Sequence, residues 1–226
     1  RTVINKENIL KLNDLVNKKE LTNFNIASSY FLLADNEKNK KNFEEEINLL
    51  SKANDYSFKV NDNINKQSNE YWLKIIPNKF NKIYYKNDEK YFTEVENFFP
   101  IFIVGLPRCG STLIESIISK GKNKVENLGE TNLVNWSLLS AHRKILFSDN
   151  PKVDLNLDLI QDKLVNSYKN LNINERNQKK VFVDKSLENF FYINLILKIF
   201  PNAKFIHTYR NLEDNIFSIY KEFLSK

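Results

Sequence analysis

The sequence has few of the residues on which several classes of protein depend: no methionine, one cysteine and two histidines among 226 residues. Cys109 has no second cysteine with which to form an internal disulfide, which is typical of a reducing compartment and predicts a cytoplasmic protein. So few histidines and cysteines make a zinc site improbable, and we expect no metal. No apolar run reaches the roughly 20 residues that span a bilayer. Because the chain opens on Arg1 without a methionine, we expect it to be a piece of a longer protein.

The charge is positive but evenly distributed along the chain. The 34 lysines and arginines outnumber the 28 acidic residues and give a net charge of +6, which indicates an anionic partner. The lysines are scattered among asparagines and isoleucines and form no basic stripe, so we expect no direct binding of nucleic acid.

The sequence changes character near Pro100, which predicts two regions, residues 1–97 and 98–226. The first region contains no glycine, and its apolar residues have helical spacing. Two predicted helix faces, separated by a polar turn at residues 35–37, consist of Ile26, Tyr30 and Leu33 and of Phe43, Ile47, Leu50 and Ala53. The second helix resembles that of a tetratricopeptide repeat, although a generic helical hairpin fits equally well. Residues 64–97 are predicted to be a helical connector.

The second region alternates strands with helices. Short apolar runs predict buried strands over residues 99–104, 181–183 and 203–208, with helices over residues 111–119, 187–200 and from 212 onward. In the first of these helices the residues expected to face inward are Leu113, Ile114, Ile117 and Ile118. The predicted fold class is therefore α/β, a P-loop-like parallel sheet with flanking helices that follows an α-helical region. Ligands of such sheets bind at the carboxyl ends of the strands.

Two of the four glycines bound a loop between a predicted strand and the next helix. Gly105 ends the strand and Gly110 opens the helix, where backbone N–H groups can hold a phosphate at the helix N-terminus. The spacing of the two glycines equals that of the nucleotide triphosphatase P-loop. That motif has a lysine where this sequence has Ser111, and the cation is instead at Arg108. The pattern predicts phosphate binding by a loop that differs from the P-loop.

Two segments of the sequence resemble sulfotransferases. Residues 100–113, with the sequence PIFIVGLPRCGSTL, closely resemble the family's 5′-phosphosulfate loop, with Cys109 in place of the usual serine. Residues 200–218 are similar to its 3′-phosphate segment. With the helical hairpin, the chain is similar to bacterial tetratricopeptide sulfotransferases and to tyrosylprotein sulfotransferases. The resemblance implies transfer of a sulfuryl group from 3′-phosphoadenosine 5′-phosphosulfate to a hydroxyl acceptor, without a metal.

The resemblance also implies which residues bind the donor: Arg108, Cys109, Gly110, Ser111, Thr112, Leu113, Arg210 and Ser218. The backbone and hydroxyl groups of the loop would hold the 5′-phosphate, and Arg210 and Ser218 the 3′-phosphate. Ser111 has an alternative role as the N-cap of the helix. The alternative for Arg210 is an ion pair with Asp214.

The catalytic residues implied by the resemblance are Arg108, Glu130 and Lys185. Arg108 would stabilise the bridging oxygen of the donor. Glu130 would be the base that accepts the proton of the acceptor, although an ordinary first-turn glutamate fits the same position. Lys185, at the end of a predicted strand, would reach the sulfuryl group or the leaving oxygen, whereas most lysines are simply solvated.

Two other functions fit the sequence less well. A P-loop kinase or triphosphatase would use Asp184 to bind magnesium, but Lys185 beside it is unfavourable to a metal. A helical-repeat protein would bind a protein partner through its helical region and carry a degenerate nucleotide-binding domain. The sequence leaves the acceptor open among peptide tyrosine, glycan and small-molecule hydroxyls.

Overall fold

A computed structural model describes residues 5–17, 21–80, 98–121, 125–146, 156–171 and 180–222. Contacts divide the chain into two compact units, which we treat separately. Unit 1 comprises Arg1–Asn69 and Leu212–Lys226, and unit 2 comprises Glu70–Asn211. The boundary predicted near residue 97 lies outside the described residues and stays a prediction.

The elements in chain order are α1 (Lys6–Asn17), α2 (Asn23–Asn39), α3 (Phe43–Val60), α4 (Asp62–Glu70), a π-helix (Tyr71–Ile75), α5 (Ile76–Phe80), β1 (Phe98–Gly105), α6 (Ser111–Ser119), β2 (Glu126–Asn127), α7 (Leu133–Leu146), α8 (Leu157–Asn170), β3 (Lys180–Asp184), a 3-10 helix (Leu187–Tyr192), α9 (Ile193–Ile199), β4 (Lys204–Thr208) and α10 (Leu212–Tyr220).

In unit 1, α2 and α3 form the predicted helical hairpin, packed around Leu33, Ala34, Leu49 and Leu50. Its turn lies later than predicted, because α2 continues through residues 35–37 and the chain reverses at residues 40–42. The Glu37 carboxylate accepts hydrogen bonds from Lys40 Nζ and Asn42 Nδ2. The bond from Lys40 holds the pKa of Glu37 below its ordinary value. The polar stretch is therefore the last turn of a helix. The identity of the hairpin as a tetratricopeptide unit stays a prediction.

The buried face of α3 is rotated from the predicted one and consists of Glu46, Leu49, Leu50 and Ala53. Leu50 and Ala53 are buried as predicted, whereas Phe43 and Ile47 are exposed. The Glu46 carboxylate forms an ion pair of 3.0 Å with Lys221, just beyond α10. A charged residue thus occupies an inward position that an apolar pattern does not predict.

Unit 2 contains a four-stranded parallel sheet in the order β2-β3-β1-β4. The central strand β1 pairs Phe102 with Asp184 of β3 and Gly105 with Thr208 of β4. The predicted fold class and the three predicted strands are confirmed. Because all four strands are parallel, the residues that follow them lie along one edge of the sheet. We call this edge the carboxyl edge.

The core of unit 2 packs helices α7, α8 and α9 against the central strands. Alternate side chains of β1, Phe98, Phe102 and Val104, are buried with Phe182 of β3 and with apolar residues of the three helices. Trp72 of the predicted connector packs onto this core, whereas residues 81–97 of the connector lie outside the described residues.

Helix α6 has the predicted bounds but not the predicted orientation. Leu113 and Ile117, expected to face inward, are 65% and 59% exposed, and the buried residues are Ser111 and Glu115. At about 100° per residue, Leu113 lies nearly opposite Ser111 on the helix. The loop before α6 brings Ser111 inward, so the loop rather than the apolar pattern determines the rotation of the helix.

No helix in the described ranges is long and apolar enough to cross a membrane. The cytoplasmic location inferred from the lone cysteine stays a prediction.

Candidate functional site

The loop between β1 and α6 has an unusual backbone conformation. Gly105, Arg108 and Gly110 have φ angles of 150°, 66° and 92°, in the left-handed region that favours glycine. Gly105 also lies against β4, where a Cβ would come within 2.6 Å of the Thr208 carbonyl oxygen. Both glycines are therefore required by the backbone, as the sequence pattern predicts.

Replacing Gly105 with alanine is expected to destabilise the protein more than replacing Gly110. Both variants place a side chain at a left-handed φ, but a Cβ at Gly110 meets no atom within 4 Å. A Cβ at Gly105 would push against the backbone of Thr208, an overpacking that costs about 1–3 kcal/mol beyond the strain. Denaturant unfolding of the two variants measures the difference in the free energy of unfolding. Equal losses would contradict the close approach of the loop to β4.

Cys109 fixes the loop to the end of β4. Its side chain is buried, and its sulfur lies 2.7 Å from Thr208 Oγ1. Since the Thr208 hydroxyl donates to the Val104 carbonyl oxygen at 3.2 Å, the thiol is the donor to Thr208. The chain Cys109–Thr208–Val104 therefore joins the loop, β4 and β1. This environment suits the prediction that Cys109 is a small loop residue and not a nucleophile.

The N-terminus of α6 faces the carboxyl edge. Gly110 is the N-cap, and its carbonyl accepts hydrogen bonds from the backbone N–H groups of Leu113 and Ile114. Ser111 is the first residue of the helix and is buried, so it is not the N-cap, and its alternative role as a cap is wrong. The first N–H groups of a helix have no acceptor within the helix and together form a site for an anion.

A second part of the carboxyl edge brings Glu130 and Lys185 together. Lys185 Nζ lies 2.9 Å from Glu130 Oε1, and the side chains are 9% and 41% exposed. The pair is also held through the backbone, because Lys185 N donates to the Gly129 carbonyl oxygen at 2.8 Å. Two residues that lie 55 positions apart and that the sequence predicts to be catalytic thus form an ion pair.

Asp184, the residue before Lys185, forms a hydrogen-bond network of its own. The carboxylate is fully buried and accepts hydrogen bonds from Thr131 Oγ1 at 2.5 Å, Tyr168 OH at 2.7 Å and Ser186 N at 2.8 Å. Burial and the nearby Asp184 carboxylate raise the pKa of Tyr168 well above its ordinary value, so the phenol stays protonated and donates. No pattern in the sequence points to Thr131, Tyr168 or Ser186 as members of this network. The one feature of the network that is visible in the sequence is the position of Asp184 at the end of a predicted strand.

The two residues predicted to bind a 3′-phosphate belong to different units. Arg210 lies two residues beyond β4, at the end of unit 2, and is exposed. Arg210 is therefore not a buried charge, and it does not require the internal ion pair with Asp214 that was its alternative role. Ser218 lies on α10 in unit 1 and is half-buried. Within the part of the chain that the structure describes, no three His, Cys, Asp or Glu side chains cluster so as to hold a metal ion.

Comparisons with known proteins identify one family. The model of the sulfotransferase family matches residues 100–226. A protein of uncharacterised function from Aquifex aeolicus is 28% identical over 236 residues, which cover 96% of this chain and 29% of that protein. The chain thus spans less than a third of that relative, and no solved structure gives a significant match. Because the family match covers more than half of the chain and includes both the glycine loop and the residues after β3, the chain belongs to the sulfotransferase family.

Proposed function

We propose that this chain binds 3′-phosphoadenosine 5′-phosphosulfate at the carboxyl edge and transfers its sulfuryl group to a hydroxyl acceptor, without a metal. Membership of the family supports sulfuryl transfer in general. The observation that carries the proposal is the ion pair between Glu130 and Lys185, at the same edge of the sheet as the glycine loop. The pair combines a carboxylate that would accept the proton of the acceptor hydroxyl with a cation that would stabilise the negative charge on the leaving group.

The loop and the first turn of α6 would bind the 5′-phosphate. The N–H groups of residues 109–112 and the hydroxyls of Ser111 and Thr112 would be the donors, whereas the N–H of Leu113, predicted to bind the donor as well, already donates to the Gly110 carbonyl oxygen at 3.0 Å. The left-handed backbone at Gly110 turns the chain at the N-terminus of the helix. Arg108, exposed in the loop, would contact the bridging oxygen. A helix N-terminus and a cation suit a dianionic group, so these residues fit the donor.

Glu130 and Lys185 would have complementary roles in the transfer. Glu130 accepts the proton of the acceptor hydroxyl while the acceptor oxygen bonds to sulfur. The bond from sulfur to the bridging oxygen breaks, and its electron pair stays on that oxygen. Lys185 and Arg108 stabilise this negative charge, which is the interaction that lowers the barrier most. Peptide tyrosine, a glycan or a small-molecule hydroxyl would each supply the acceptor oxygen.

The hydrogen bonds of Asp184 favour this proposal over a metal-dependent kinase. A kinase would need a carboxylate free to bind magnesium at this strand end. Both oxygens of Asp184 already accept hydrogen bonds from protein donors. A partner-binding role for the helical region stays a prediction, and Phe43 and Ile47 are exposed apolar residues there that a partner would cover.

The Arg210→Ala variant tests how the donor is recognised. We expect it to weaken binding of adenosine 3′,5′-bisphosphate by about tenfold or more, because a charge-assisted contact is worth about 1.5–3 kcal/mol. Binding of adenosine 5′-monophosphate should change little, since that nucleotide lacks the 3′-phosphate. Calorimetric titration of both nucleotides measures the two affinities, and chelator should leave them unchanged. Equal affinity of the parent protein for the two nucleotides, or binding that requires magnesium, would contradict the proposal.

A further inference from the structure

We propose that Asp184 is a positioning residue, which fixes the turn that carries Glu130 and so holds Glu130 beside Lys185. This inference rests on the proposed function, because it assigns the geometry of the same ion pair. Asp184 does not itself reach the acceptor or the donor, since its side chain is fully buried. It acts through Thr131, the residue after Glu130, and through the backbone that leads into Lys185.

The Asp184 carboxylate is held by three hydrogen bonds. An ionised carboxylate only accepts hydrogen bonds, so all three of its partners must be donors. Oδ2 accepts from the hydroxyls of Thr131 and Tyr168, and Oδ1 accepts from the backbone N–H of Ser186. A buried charge is stable only when it is hydrogen-bonded in this way. The carboxylate therefore holds the Thr131 side chain, together with the N–H of Leu133 that donates to the same hydroxyl at 3.2 Å, and it also holds the chain after β3.

The turn at residues 128–132, which carries Glu130, is bonded to the end of β3. Gly129 and Asn132 both have left-handed φ angles, of 68° and 54°. Asparagine is one of the few residues other than glycine that adopt this conformation readily, so both positions suit a tight turn. Hydrogen bonds join the turn to the end of β3 along its length: Leu128 N to Val183 O at 3.0 Å, Lys185 N to Gly129 O at 2.8 Å and Asn132 N to Ser186 Oγ at 2.8 Å. The bond from Thr131 to Asp184 adds a contact between two side chains to this set.

Glu130 therefore lies between two neighbours that are held by hydrogen bonds. Gly129 before it and Thr131 after it are both bonded to the segment that carries Lys185. Because the backbone on both sides of Glu130 is held, its half-exposed side chain forms the ion pair with Lys185 in the single conformation that the turn adopts. Preorganisation of this kind raises the rate of the chemical step rather than the affinity for the donor.

The test uses Thr131→Val, with Thr131→Ser and Tyr168→Phe as matched variants. Asp184 itself is too deeply buried for a substitution that is certain to fold. Valine keeps the shape of Thr131 but removes the hydroxyl, and serine keeps the hydroxyl. Tyr168→Phe removes the other hydroxyl that donates to Asp184 Oδ2, and Tyr168 lies on α8, outside the turn. Rates are measured on the full-length protein with labelled donor and with the fastest acceptor among a tyrosine-containing peptide, an oligosaccharide and 4-nitrophenol.

We expect Thr131→Val to lower kcat by about tenfold or more while the KM for the donor changes less than about twofold. Thr131→Ser should restore kcat to within about twofold. Amide hydrogen exchange at Asn132 and Lys185 should accelerate in Thr131→Val and not in Tyr168→Phe, although both variants lower the melting temperature. If Thr131→Val and Tyr168→Phe change kcat alike, or if exchange in the turn is unaffected, Asp184 is only a structural residue and the inference is wrong.

Failure of the proposed function gives a different result. Glu130→Gln, measured in the same assay, reports whether Glu130 takes part in catalysis at all. If that variant turns over at the parent rate, the assignment of the base fails, while hydrogen exchange in Thr131→Val still tests the positioning of the turn. If Glu130→Gln is slow but Thr131→Val is not, only the positioning inference fails.

Discussion

Replacing Glu130 with glutamine is expected to slow sulfuryl transfer by about 10²–10⁴-fold, the usual contribution of a positioned general base. Glutamine keeps the shape of the side chain and its hydrogen bonding but cannot accept the proton of the acceptor hydroxyl. Affinity for adenosine 3′,5′-bisphosphate should stay nearly the same, because a carboxylate is unsuited to binding an anion and Glu130 is therefore expected to contact the acceptor and not the donor. Titration measures the affinity, and labelled sulfated product measures the rate on the same preparation.

The matched control for this variant is Glu44→Gln. Glu44 is exposed in the first turn of α3, so the substitution removes a carboxylate without touching the carboxyl edge. It should leave both the rate and the affinity unchanged. If Glu130→Gln also transfers at the parent rate, Glu130 is an ordinary turn residue and another group is the base.

Replacing Lys185 with methionine should lower the transfer rate by about 10²-fold or more. Methionine fills much of the same buried space but removes the charge that stabilises the leaving oxygen, and loss of one such group costs about 10²–10³ in rate. It also removes the 2.9 Å ion pair with Glu130. The control is Lys204→Met, because Lys204 is exposed at the first residue of β4, the end of the strand away from the carboxyl edge.

Coupling between Lys185 and Glu130 distinguishes catalysis from stability. Residues that act as a unit are not additive, so the double variant should be scarcely slower than the slower single variant. Steady-state rates of the parent, the two single variants and the double variant complete the cycle. Rate losses that simply multiply would indicate that the two side chains act independently, contrary to the ion pair seen in the structure.

The sequence predicts the central part of the fold well, together with the backbone of the glycine loop, because the signals there are local. Apolar runs identify β1, β3 and β4, and the glycines that bound the loop are needed for backbone conformations that other residues adopt with strain. A parallel sheet then places the ends of its strands at one edge. For this reason Glu130 and Lys185, which are distant in sequence, could both be expected near the glycine loop.

The features that the sequence does not predict depend on contacts between distant segments. The two-residue strand β2 is too short to have a pattern of its own and is defined only by pairing with β3. The rotation of α6 follows from the loop before it, against the apolar pattern of Leu113 and Ile117. Two of the three partners of Asp184, Thr131 and Tyr168, come from a turn and from a helix that precede it, and no spacing rule connects Tyr168 with Asp184.

The most direct test of the central claim is transfer of labelled sulfate by the full-length protein. The protein is incubated with 3′-phosphoadenosine 5′-[³⁵S]phosphosulfate, chelator and, in turn, a tyrosine-containing peptide, an oligosaccharide and 4-nitrophenol. We predict labelled product with at least one acceptor, formed at the same rate with and without chelator and lost in Glu130→Gln. No labelled product from any acceptor, together with magnesium-dependent phosphoryl transfer from ATP, would contradict the account.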